Sequence, residues 1–122
     1  MTRINVGIPP CELTTKHLIA EHREIVRIPN CVAKGRYNLK NQPQTFKLGE
    51  GHVKFFYNKL GYLKRRYEEI YAECLRLGFK VSYYGGAWDN VPKEFMNDYT
   101  PTENDITIIK QRIHERLTTK KN

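Results

Sequence analysis

Nothing in this sequence is apolar for long enough to cross a bilayer as a helix, which takes about 18 residues or more. Arg3, Pro9, Pro10 and Glu12 interrupt the start of the chain too early for an apolar leader, so the expected compartment is the cytoplasm. No CxxC and no Cys/His set at ligand spacing occurs, and no structural zinc or other metal is expected. The three cysteines, Cys11, Cys31 and Cys74, are odd in number and far apart, which reads as free thiols in a reducing compartment. No internal repeat or low-complexity stretch is present. Strand patterning is almost absent as well. Val81–Tyr84 would suit a short strand, but Gly85-Gly86 directly after it argues for a turn.

Acids are scarce too: 13 Asp and Glu stand against 21 Lys and Arg, a net charge of +8 on 122 residues. An excess of that size on one small domain favours a polyanionic partner. The basic residues are spread over all the expected helices, with no single cationic, aromatic-backed helix to lie on a lipid surface, so a membrane partner is not expected. What remains is nucleic acid, or a basic protein whose charge serves only solubility.

What is there is helical periodicity. A first helix is expected over about Thr14 to Ile28, capped by Thr14 or Thr15 and ended or kinked at Pro29. Leu18, Ile25 and Val32 give it an apolar flank, beside which His22 sits. At about 100° per residue, His17 and Glu24 share an azimuth two turns apart, while Arg23, Arg27 and Lys16 fall on a neighbouring stripe. The second helix is expected from Val53 to Leu77 without a break: Phe56, Leu60, Leu63, Tyr67, Ile70, Cys74 and Leu77 recur at alternating steps of three and four. Gly78 stands where a C-terminal stop belongs. Lys64, Arg65 and Arg66 fan around this helix and read as a solvated face. A third helix is expected over about Thr102 to Leu117, with Thr102 as cap, acids in its first turn, and Ile106, Ile109 and Ile113 as its buried stripe. Arg112 and Arg116 lie on the adjoining face. The expected architecture is therefore all-α: one compact domain over 1–122, three main helices joined by long ordered loops, and a frayed end at 118–122.

The opening Met1-Thr2-Arg3 holds a chemical possibility. A small residue at position 2 favours removal of Met1, leaving Thr2 with a free α-amine. Such an amine has an ordinary pKa of about 7.7 to 8.0 and is partly unprotonated at neutral pH. It can attack an electrophilic carbon to form a Schiff base. Taken alone, Glu24 reads as a surface partner for Arg23 or Arg27. Lys16 reads as a phosphate contact or a solvated side chain, and His17 as a site residue, a phosphate contact or a structural group.

Longer stretches carry a resemblance. They are Met-Thr-Arg-Ile-Asn at 1–5, His17-Leu18, Ala20-Glu21-His22-Arg23-Glu24, Arg27 and the run Leu48-Gly49-Glu50-Gly51-His52-Val53-Lys54-Phe55-Phe56-Tyr57. Lys59-Leu60, Ala72-Glu73-Cys74-Leu75, Gly78-Phe79, Val91-Pro92-Lys93-Glu94-Phe95 and Asp98-Tyr99 complete them. In this order the chain resembles the phage-type pyrimidine-dimer DNA glycosylase/AP lyases, the endonuclease V group of T-even phages. The resemblance implies an all-α fold and a host-cytoplasmic repair enzyme. It implies Thr2 as nucleophile through its α-amine and Glu24 as the catalytic carboxylate. Arg3, Arg23 and Arg27 match substrate-binding arginines, and Arg112 and Arg116 match positions of basic DNA contacts. The implied partner is double-stranded DNA containing damaged bases or abasic sites, bound by a monomer with no metal or organic cofactor.

The sequence also departs from the family pattern. Residues 118–122, Thr-Thr-Lys-Lys-Asn, do not match the family's Trp-, Tyr- and Lys-rich tail, and Pro9-Pro10-Cys11 carries one residue more than the pattern before helix one. Tyr67 replaces a glutamine, and Tyr83, Tyr84 and Trp88 are aromatic where the pattern is polar. These rings are candidates for stacking on bases. Three readings stay open on sequence grounds: a dimer glycosylase/lyase, the same imine chemistry on another damaged base, and a basic DNA-binding protein that does no chemistry.

Overall fold

A computed structural model of the chain describes residues 4–48 and 51–119, the last four of these as backbone only. Thr2 and Arg3 lie outside the described residues, as does the Arg116 side chain. Among the described residues there are five helices and no strand: α1 (Thr15–Glu24), α2 (Arg27–Ala33), α3 (His52–Phe55), α4 (Leu60–Arg76) and α5 (Glu103–Thr119). Short 3-10 turns at Pro10–Glu12, Gly85–Trp88 and Lys93–Phe95 shape the connections.

The expected first helix is two helices. α1 stops at Glu24, five residues before Pro29, which sits in the first turn of α2. Proline lacks the N–H that would have bonded Ile25, so a continuous helix is broken here. In a first turn that N–H has no intrahelical partner to lose. Thr14 caps α1 as expected, its hydroxyl accepting from the His17 N–H at 3.3 Å.

The expected second helix is also divided, between Phe55 and Leu60, although its apolar spacing runs through unbroken. Side chains take over the helix-end carbonyls. Gln42 Nε2 donates to the Lys54 and Phe55 carbonyls at 3.0 and 3.3 Å, and Lys59 Nζ donates to the Phe55 carbonyl at 2.9 Å. Burial holds the Lys59 amine below the usual lysine range. At the far end of α4 the stop is as expected. Gly78 has φ +83, and the Phe79 N–H reaches back to the Cys74 carbonyl at 2.9 Å.

α4 is the spine. Leu60, Leu63, Tyr67, Ile70 and Cys74 on it are buried, and α1 packs along it. Gly61 permits a close loop approach, since a Cβ there would lie 2.8 Å from the Met96 carbonyl oxygen. The Tyr62 N–H closes that contact by donating to the Asn97 carbonyl at 3.2 Å. α5 begins with a reciprocal cap: the Asp105 N–H donates to the Thr102 hydroxyl at 3.1 Å and the Thr102 N–H to the Asp105 carboxylate at 3.0 Å. Ile109 buries it against the main core, which also takes in Ile4, Val6 and Ile8 from the chain start.

Candidate active site

The α1–α2 junction brings three of the expected residues together. Arg23 and Glu24 end α1, and Arg27 begins α2 after a two-residue break, with both arginines exposed. The Arg23 Nη2 lies 3.8 Å from Glu24 Oε2. The Glu24 side chain is only 15% exposed against 63% for Arg23. A carboxylate that shielded, beside a guanidinium, can stabilise positive charge as well as form an ion pair.

His17 is elsewhere. It shares Glu24's azimuth but sits seven residues earlier, about 10 Å along the axis. Its Nδ1 is 2.7 Å from the Thr14 hydroxyl, in the α1 cap. Lys16 is exposed in the same first turn. Arg112 lies on α5, 38% exposed at the side chain and 3.8 Å from Glu115.

The residues that fix the site from beneath were not among those expected. Residues 4–8 form a buried segment clamped to three helices. Asn5 Nδ2 donates to Glu21 Oε1 on α1 at 2.7 Å, and Arg66 Nη1 on α4 donates to the Ile8 carbonyl at 2.9 Å. The Ile4 N–H donates to His52 on α3 at 2.9 Å. Glu21 is one helical turn before Glu24, so the chain start is docked on the helix that carries the candidate carboxylate. Arg66, expected on a solvated face with Lys64 and Arg65, is buried and paired with Glu21 through Nε and Nη2. Burial disfavours its charge, but Glu21 more than offsets this and holds the guanidinium above its usual range. Lys64 and Arg65 do face outward, towards Glu68 and Asp98 at 3.1 and 2.9 Å.

A second buried network joins α1 to the Tyr83-Tyr84 loop. The Tyr84 N–H donates to the Tyr67 hydroxyl at 2.6 Å, and that hydroxyl lies 3.1 Å from His22 Nε2. Burial lowers the His22 pKa below its ordinary value, partly opposed by a hydrogen bond to the Ser82 backbone. Of the aromatic residues that depart from the family pattern, Tyr67 and Trp88 are buried and pack at 5.4 Å between centroids. Tyr83 and Tyr84 are 50% and 44% exposed, with the Tyr84 ring 5.2 Å from that of His22. Trp88 is therefore core, and only the two tyrosines offer faces to a ligand. Among the described residues no three His, Cys, Asp or Glu side chains gather as a metal site.

The family model for pyrimidine dimer DNA glycosylases matches residues 1–83. The chain belongs to the pyrimidine dimer DNA glycosylase family. The match takes in α1 to α4, the Glu21–Arg66 clamp and the Arg23-Glu24-Arg27 junction, and ends at Tyr83. Membership gives the activity class, a DNA glycosylase, and the substrate class, DNA.

Proposed function

We propose that this glycosylase also cleaves the DNA strand, acting as a bifunctional N-glycosylase/AP lyase on cyclobutane pyrimidine dimers in duplex DNA. In this reading Met1 is removed and the Thr2 α-amine attacks C1′ of the damaged nucleotide. The C1′–N bond breaks, and its electron pair leaves with the base, which takes up a proton. The sugar ring opens to a protonated imine, loss of a C2′ proton follows, and β-elimination expels the 3′ phosphate. Glu24 stabilises positive charge on the sugar as the base departs and then moves the C2′ proton. Arg3, Arg23 and Arg27 hold phosphates and, by charge repulsion, keep the amine unprotonated. Lys16, His17, Arg112 and Arg116 serve as outlying DNA contacts, and the protein acts as a monomer.

The observation that supports this most is the docking of Asn5 on Glu21, which ties the segment following Thr2 and Arg3 to the helix that bears Glu24. Borohydride trapping tests it, using one duplex with a thymine dimer and one with an abasic site. Adducts on both, mapped to Thr2, are the expected result. An adduct on the abasic duplex alone points to another damaged base. No adduct on either, with Met1 shown to be absent, sinks the lyase reading.

A further inference from the structure

His52 is not part of the charged junction, yet it holds the backbone of Ile4, two residues after Thr2. It is buried, as is Ile4. Its Nδ1 lies 2.9 Å from the Lys47 carbonyl oxygen, which can only accept, so Nδ1 carries the proton. Its Nε2 is then an acceptor, and the Ile4 N–H donates to it at 2.9 Å. The two bonds demand the same neutral tautomer and so reinforce each other. The rings of Phe46 and Phe56 meet the imidazole edge-to-face, both at 5.4 Å, and fix its plane. This bond forms a side-chain-to-backbone link across 48 residues.

From these contacts we infer that His52 is a positioning residue for the catalytic amine. The inference rests on the reading that Thr2 supplies that amine. Two residues span at most about 7 Å of chain. An anchor at Ile4 therefore sets the origin from which the amine reaches the sugar. A misplacement of about 1 Å can cost about 100-fold in rate when a reaction depends on alignment. Asn5, Glu21 and Arg66 hold the following residues, but His52 alone among these four acts on the backbone of Ile4 itself.

The test uses three variants of the full chain, each confirmed by intact mass to lack Met1. H52F keeps a ring between Phe46 and Phe56 and removes the acceptor. H52Q places a carbonyl oxygen where Nε2 was. H52N is too short to reach Ile4 and repeats the H52F contrast should that variant fail to fold. The readouts are the single-turnover rate of borohydride-trapped adduct on an abasic duplex, affinity for that duplex, and hydrogen-exchange protection of the Ile4 amide. H52F and H52N are expected to lose Ile4 protection and to trap about 10- to 100-fold more slowly, with affinity within about twofold. H52Q is expected to keep both protection and most of the rate. Loss of Ile4 protection with trapping at the wild-type rate overturns the inference and leaves the proposed chemistry standing. Equal slowing in H52Q, with its Ile4 amide still protected, overturns it as well. A wild-type adduct mapping to a residue other than Thr2 removes the proposed chemistry itself, and this inference with it.

Discussion

Arg66 grips Glu21 side-on with one edge of its guanidinium, Nε to one carboxylate oxygen and Nη2 to the other, with the two side chains 4% and 1% exposed. The same two residues hold Asn5 and the Ile8 carbonyl, so one ion pair fastens the chain start to α1 and α4 together. Removing one partner of such a pair leaves a buried charge uncompensated, which costs about 3 to 5 kcal/mol. Against the roughly 5 to 15 kcal/mol that stabilises a domain, this is a large share. Glu21→Leu and Arg66→Met are each expected to lose stability on that scale in urea unfolding. The double change to Glu21→Leu with Arg66→Met is expected to lose much less than the sum. Additive losses would show that the two side chains do not act as a pair.

Much of this clamp was visible as pattern. Glu21 lies between Leu18 and Ile25, and Arg66 between Leu63 and Ile70, each at a spacing that puts it on the buried stripe of its helix. Two opposite charges on two buried stripes have reason to meet. Reading the whole fan of Lys64, Arg65 and Arg66 as solvated hid this, because one of three residues fanned around a helix falls on its buried stripe. The helix class, the Thr14 and Thr102 caps and the Gly78 stop were also legible, since each depends on a few neighbouring residues. The break at 56–59 was not legible. It depends on Gln42, distant in sequence, taking the carbonyls that would have continued α3. His52 was equally hidden, because its acceptor role exists only once residue 4 reaches it.

Glu24 and its flanking arginines should separate in their effects. Glu24→Gln removes charge while keeping shape, so duplex binding is expected to hold within about twofold while base release falls by about 100-fold or more. If Arg23 and Arg27 hold phosphates as proposed, Arg23→Ala and Arg27→Ala each remove one such contact. Each is expected to weaken binding to damaged and undamaged duplex alike and to reduce the slope of log affinity against log salt by about one. Binding titrations across salt, with single-turnover base release, check both. If Glu24→Gln weakened binding as much as release, the division of roles between these residues would be wrong.

His22 gives the fold a pH dependence of defined sign. Burial lowers its folded-state pKa below the ordinary 6.5. Between that lowered value and 6.5 the unfolded chain binds more protons than the folded one, so stability rises with pH across this window. The His22 contribution is full above about 6.5 and is lost as pH falls through the folded value. Urea midpoints are expected to drop between pH 7.5 and 5, and His22→Phe to flatten that part of the slope. A wild-type slope unchanged by His22→Phe would assign the acid sensitivity to other groups.

Trp88 and Tyr84 sit four residues apart, and the fold predicts opposite outcomes for them. Trp88 is 5% exposed in the main core, so Trp88→Ala is expected to cost about 3 to 5 kcal/mol of stability without a selective effect on lesion recognition. Tyr84 is 44% exposed and lies beside His22, two residues before Glu24 on α1. A base stacked on an aromatic face contributes about 1 to 3 kcal/mol. If Tyr84 receives an unstacked base near the lesion, Tyr84→Ala should weaken binding to dimer-containing duplex by about fivefold or more. Affinity for intact duplex, in which bases stay stacked, should scarcely change. Competition binding of the two duplexes reads the ratio directly. An equal loss on both would make Tyr84 a general contact, and no loss on either would confine it to packing against His22.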